Sequence, residues 1–159
     1  MREAPKNRIA KDAIKAWRLS AALAMLVPWV LAIASFFLVH FVEVTYWYSI
    51  SAVGLLIVIT YLVVVFVPKI RWRRWRYELF EQEIYIQHGI LVVSRTLVPM
   101  IRVQHVDTKQ GPILKRYRLS NLTISTAATV HEIPALPEKE AADLRDQISE
   151  LARVDEDDV

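Results

Sequence analysis

Few side chains in this 159-residue chain have the types and spacing that chemistry requires. The four histidines stand at 40, 88, 105 and 131, none at i,i+4 spacing and none in a His-Glu-x-x-His run, so a zinc-hydrolase site is not encoded. His88 and His105 sit in strand-like segments and would meet only across neighbouring strands, where a partly exposed histidine is a commoner outcome than a metal ligand. Glu78, Glu81 and Glu83 crowd one turn instead of converging on a cleft. Ser94, Ser120 and Ser125 have no neighbouring motif that would activate a nucleophile. Cysteine is absent, which removes thiolate catalysis, disulfides and cysteine-type zinc sites. Gly54, Gly89 and Gly111 are too scattered for a phosphate-cradling loop. The expectation is a protein that is not an enzyme, with no catalytic residue, no cofactor and no metal.

The strongest physical signal is cationic. Lys69, Arg71, Arg73, Arg74 and Arg76, interleaved with Trp72 and Trp75, place five cations and two indoles in eight residues. That is the composition for contact with anionic headgroups, at roughly 1 kcal/mol per basic residue near the surface. These seven are the candidate membrane-surface contacts. The competing account is that they only set topology and anchor an interface. Lys109, Lys115, Arg116 and Arg118 form a second basic cluster. Nucleic acid is not the expected partner, because the first cluster follows an apolar stretch directly and bilayer phosphates are nearest.

The elements that must position this cluster begin with two stretches free of Asp, Glu, Lys, Arg and His: residues 19–39 and 46–67, 21 and 22 residues long. At about 1.5 Å rise per residue each makes a helix of roughly 32 Å, matching a bilayer's hydrocarbon core. Six Lys/Arg precede them in residues 1–18 and none lies in the six-residue loop 40–45. The positive-inside rule therefore places both termini in the cytoplasm, with the loop outside. A cleaved signal peptide ending at Ala32-Ile33-Ala34 is the alternative, but apolar residues continue past that cut. Ala21, Ala24, Pro28, Ala32 and Ser35 on the first span, with Ser51 and Gly54 on the second, are the candidate hairpin packing residues. Pro28 is expected to kink the first helix. No ionisable group lies within either span, so these helices alone build no ion path.

From Trp75 onward the period changes to two: Arg76–Leu79, Ile84–His88, Ile90–Val98, Ile101–His105, Leu122–Thr126 and Val130–Ile133 read as strands. Gly111-Pro112 breaks the pattern before a basic connector. Pro137 suits a first helical turn, and Ala141, Leu144, Ile148 and Leu151 give the following helix one apolar face. The division expected is a basic cytoplasmic head (1–18), a transmembrane hairpin (19–67), a basic juxtamembrane linker (68–76), a strand-rich domain (77–153) and an acidic disordered tail (154–159).

Gly89-Ile90, Pro99-Met100-Ile101-Arg102-Val103-Gln104, Leu119-Ser120-Asn121-Leu122-Thr123-Ile124-Ser125-Thr126-Ala127 and Ile133-Pro134-Ala135-Leu136 together resemble the bacterial pleckstrin-homology-like (PH-like) membrane proteins of the YdbS type, over nearly the whole chain. The resemblance implies a membrane helical hairpin plus a mainly-β PH-like domain: a seven-stranded bent sheet or partly open barrel capped by a C-terminal helix. Arg118 and Ala128 stand where that family usually has glycine, so the turns there are expected to differ. The resemblance implies little chemistry. Members often occur beside a larger membrane protein carrying several similar domains. The expectation is a scaffold or assembly subunit at the plasma membrane, partnered by the bilayer and by such a protein or a second copy. The alternative is a reader of anionic headgroups, with a role in envelope stress or resistance to membrane-active peptides; the acidic Glu78–Glu83 turn has the wrong sign for headgroup binding.

Overall fold

Residues that have no charge to hydrate and no core to fill must find an apolar solvent, and the two uncharged stretches show the consequence. The computed structural model describes residues 3–42 and 46–157, in two compact units: one holds the chain up to Ala16 together with Ile70 onward, the other is Trp17–Lys69. The second unit takes in most of helix α1 (Ala13–Val42), all of α2 (Tyr46–Tyr61) and of the π-helical turn (Leu62–Phe66) that follows it, and the first residues of α3 (Val67–Arg74). Ala13–Phe37 and Trp47–Arg74 are each long enough to cross a membrane and hold an 18-residue stretch apolar enough to do so, with mean hydropathies of 2.1 and 2.9 over those stretches. Their large side chains, Leu31, Phe37, Leu55 and Ile57 among them, are exposed. Both helices overrun the predicted spans, because residues 13–18 and 68–74 contain nothing that stops a helix once Pro68 sits in the first turn of α3. Of the predicted outer loop, His40–Val42 are helical, and Glu43–Thr45 lie outside the described residues.

The face joining the two helices differs from the predicted stripe. Ala21, Met25, Pro28, Trp29 and Ala32 are half-buried on α1, opposite half-buried Ser49, Val53, Leu56 and Thr60 on α2. Trp29 Nε1 donates to Thr60 Oγ1 at 3.1 Å, and Thr60 Oγ1 donates to Leu56 O at 2.7 Å. Ala24, Ser35, Ser51 and Gly54 are exposed instead. The Ser35 and Ser51 hydroxyls donate to their own helices at Ala32 O and Tyr48 O, and a Cβ at Gly54 would meet nothing. Ala21, Pro28 and Ala32 thus lie on the face where the stripe places them, and Trp29 with its polar partner joins them there.

In the other unit, β2 (Arg76–Leu79), β3 (Glu83–His88) and β4 (Ser94–Pro99) form a meander, and β5 (Val103–Lys109), β6 (Leu119–Thr126) and β7 (Val130–Pro137) form a second, all antiparallel. Alternation gives each strand one inward face, and Ile84, Ile86, Val98, Leu122, Ile124, Ile133 and Leu136 fill the interior at no more than 2 % exposure. Helix α5 (Glu138–Asp157) covers the second sheet with Ala141, Leu144 and Ile148. The architecture is the expected one: two apolar helices, two antiparallel sheets and a C-terminal helix.

The seventh strand comes from the head. Asn7–Arg8 (β1) pairs antiparallel with Tyr77 and Arg76 of β2, completing the order β1-β2-β3-β4. Ala10 N–H donates to Ala135 O at 3.2 Å, and Pro5, Ile9, Ala13 and Ala16 are buried. The described part of the expected basic head is thus not free: Pro5, Ile9, Ala13 and Ala16 are core, and Lys6, Arg8, Lys11 and Lys15 between them are exposed. The acidic end also departs from expectation, because α5 continues to Asp157; nothing after Pro137 breaks a helix. Asp158 and Val159 lie outside the described residues.

Three local corrections bear on function. The β-branched run from Ile90 pairs only from Ser94, since Gly89 (φ 126) turns the chain and residues 90–93 form the β3–β4 loop. The basic connector after Gly111 contains a short helix, α4 (Pro112–Arg116), with Pro112 in its first turn. Arg118 takes the left-handed conformation (φ 53) that glycine would supply; its N–H donates to Lys115 O and its carbonyl accepts from Glu138 N–H, both at 3.1 Å, ending α4 and starting α5. Ala128 is not left-handed; Thr126 and Thr129 close that turn through their hydroxyls.

Candidate functional site

The cationic segment is the first candidate, and the structure divides it. Trp75 is buried, its ring stacked on His88 with centroids 5.2 Å apart. Trp72 Nε1 donates to Ile9 O at 3.1 Å, and the Arg8 guanidinium lies 5.7 Å over the Trp72 ring. Arg76 Nη1 donates to Pro5 O at 3.4 Å, and Gln87 Nε2 to Arg74 O at the same distance. Arg71 is half-buried within the field of Glu132. The segment is therefore a clasp that fastens the chain's first residues to the sheet, and both indoles are engaged in it. The composition of a headgroup anchor and of a clasp is the same; only the partner at residues 5–9 separates them. Lys69, Arg73 and Arg74 are exposed and keep the expected role open to them. Lys109, Lys115, Arg116 and Arg118 are likewise exposed.

The second candidate was not singled out by the sequence. β4 is the outer strand of one sheet and β5 of the other, and the two do not pair. Between them opens a groove of about 1020 Å³, lined by Thr96–Pro99 of β4, Ile101 and Arg102 of the connecting turn, Val103–His105 of β5, the turn Thr126–Thr129, and His131. Leu97 and Ile101 stand 47 % and 58 % exposed in it. An unpaired strand edge beside exposed Leu97 and Ile101 suits an added extended segment: the backbone supplies affinity and alternate side chains supply selectivity. The register shift between Val103 and His105 turns that edge locally. A signal existed in the sequence for Leu97, which falls on the solvent phase of β4; Ile101 lies in the turn between the strands, where no strand phase applies.

Acid–base chemistry finds little here. The Tyr77 hydroxyl bonds the Glu140 carboxylate, and burial together with that bond raises the phenol well above its ordinary range. The pair ties β2 to α5. His131 Nε2 lies 2.9 Å from Thr129 Oγ1, and His88 and His105 belong to different sheets. Among the described residues no three His, Asp or Glu side chains are grouped to hold a metal.

The profile of the bacterial PH domain family matches residues 12–152, which takes in both helices and all the strands but β1. The chain belongs to the bacterial PH domain family. It is 52 % identical to the UPF0699 transmembrane protein YdbS of Bacillus subtilis (strain 168) over 160 aligned positions, covering all of both chains. It is also 30 % identical over 67 residues to the UPF0699 transmembrane protein YdbT of the same organism, an overlap of 42 % of this chain and 14 % of YdbT. No solved structure matches significantly. A YdbS-like membrane protein with a bacterial PH domain and two apolar helices is thus established. In this member of the family, Ile133-Pro134-Ala135-Leu136 has a visible purpose: Ala135 is left-handed (φ 52), its N–H donates to Asn121 Oδ1 at 2.9 Å, and its carbonyl receives the head at Ala10.

Proposed function

We propose that the chain is a non-enzymatic, membrane-anchored PH-like scaffold or assembly subunit, which docks an extended segment of a larger membrane protein in the β4–β5 groove at the inner face of the plasma membrane. The observation that carries this reading is the groove itself, with its two unpaired strand edges and exposed Leu97 and Ile101. The charge distribution supports the cytoplasmic side for both termini, since Lys/Arg flank the helices only at their outer ends. YdbT, a much longer transmembrane protein in which a stretch resembles this one, is the type of partner that fits; a second copy of this chain is the other.

Full-length protein isolated from gently solubilised native membranes tests the reading. A single partner in fixed stoichiometry, lost from the double variant Leu97→Asp, Ile101→Asp and kept by Arg73→Gln, is the expected result. A lone monomer, or a partner indifferent to both groove substitutions, would count against it.

A further inference from the structure

The β3–β4 loop is built in a way that neither a soluble surface nor the groove requires. Gly89, Ile90, Leu91, Val92 and Val93 follow one another without a polar side chain, and Leu91 and Val92 are 94 % and 81 % exposed. The loop is held by a close approach: a Cβ on Gly89 would lie 1.9 Å from Val92 O, so glycine is needed for the turn that presents these side chains outward. Four consecutive apolar residues at a hairpin tip are costly in water.

The position of the loop says what covers it. Gln87 stands opposite Arg76 in the β2–β3 register, His88 stacks on Trp75, and the Gln87 amide bonds Arg74 O. The tip begins at the next residue, so it emerges at the end of the sheet where the chain arrives from α3. The uncharged stretch 46–67 ends eight residues before Trp75, so chain connectivity alone keeps this end of the sheet within a few residues of the span. The other end of the β2–β3 hairpin, at Gln82, is six residues along β3 and about 20 Å further from that point. Charge agrees: exposed Arg73, Arg74 and Arg95 flank the tip, and residues 84–106 contain no Asp or Glu. Glu132, beside Trp75 and His88, is an acid at this end of the sheet, and it faces Arg71. An apolar tip with cationic shoulders matches an anionic lipid surface, with phosphates at the shoulders and acyl chains beneath.

We propose that the Ile90–Val93 loop inserts Leu91 and Val92 into the lipid leaflet that its own helices span, as a third membrane contact that holds the sheet unit against the bilayer. The chain has no cysteine, so one introduced thiol reports one site. Full-length Leu91→Cys carrying an environment-sensitive nitrobenzoxadiazole dye is reconstituted in bilayers of phosphatidylethanolamine and phosphatidylglycerol, beside Gln82→Cys as the distal control. The expected result is blue-shifted emission at position 91 that lipids spin-labelled near the top of the acyl chain quench strongly, with water-like, unquenched emission at 82. Val92→Cys repeats the measurement if the first variant does not fold. Water-like emission at 91 overturns the proposal, and so does blue-shifted emission that the lipid quencher leaves unchanged, which would assign the tip to a protein surface.

Discussion

The two units use the same aliphatic residues in opposite ways. In Trp17–Lys69, most large Leu, Ile and Val side chains face outward, and a hydrogen bond from Trp29 to Thr60 ties the half-buried faces of the helices. In the sheet unit most Leu, Ile and Val face inward, with Leu97 and Ile101 of the groove and Val130 among the exceptions. The reason is the solvent: lipid is as apolar as leucine, so burying leucine against another helix gains little there, whereas water makes the same burial the main favourable term. Two segments break the symmetry. The head is charged like a membrane flank yet packs as sheet, and the Ile90–Val93 loop belongs to the sheet yet is exposed like a span.

Substitutions sharpen that contrast. The largest effect is expected at Ile9, which is 2 % exposed in a segment that reads as a solvated flank. Ile9→Asp leaves a buried carboxylate without a partner and should cost more than about 3 kcal/mol, read as loss of folded protein in detergent. The fragment 76–159 should be unstable for the same reason, because it lacks β1, Ile9 and Trp72; a cooperatively folding fragment would break the assignment of the head to the sheet. Next in size is a matched pair. Ile124→Ala in the core should cost about 2–5 kcal/mol, while Leu55→Ala on the outward face of α2 should change denaturant stability by only a few tenths, about the surface value.

Tyr77→Phe removes the bond to Glu140 and should cost about 1.5–3 kcal/mol, as hydrogen bonds to charged groups do. The raised phenol adds a sign: its stabilising contribution is complete below the ordinary tyrosine range near pH 10 and is lost as pH rises above it, so alkaline titration should destabilise the native protein and spare Tyr77→Phe. Trp29→Phe should loosen the hairpin by about 1 kcal/mol, the scale of a polar contact between membrane helices. The smallest effect has the opposite sign. Arg118→Gly relieves a left-handed arginine and should stabilise by up to about 1 kcal/mol.

How much of this could be read beforehand depended on range. The spans, the strand alternation and the apolar face of α5 are local periodicities, and they appear where the sequence puts them. Strand β1 has two residues, too short for any period, and pairs with residues some seventy positions away, so only the tertiary fold reveals it. Trp72 and Trp75 were ambiguous for the same cause: beside arginines an indole suits a headgroup zone or a clasp, and the deciding partners, Ile9 and His88, are remote or on another strand. The run from Ile90 looked like strand because β-branching favours pairing, yet Gly89 decided the turn. The groove followed from two edges failing to pair, which no single strand's pattern contains.

The central claim, docking in the β4–β5 groove, is tested most directly by photocrosslinking in living cells from a benzophenone amino acid at Ile101, with Gln82 as the control position. The account predicts one discrete protein adduct from Ile101 and none from Gln82. Adducts from both positions alike, or none from Ile101 in cells where the protein is membrane-inserted, would contradict it.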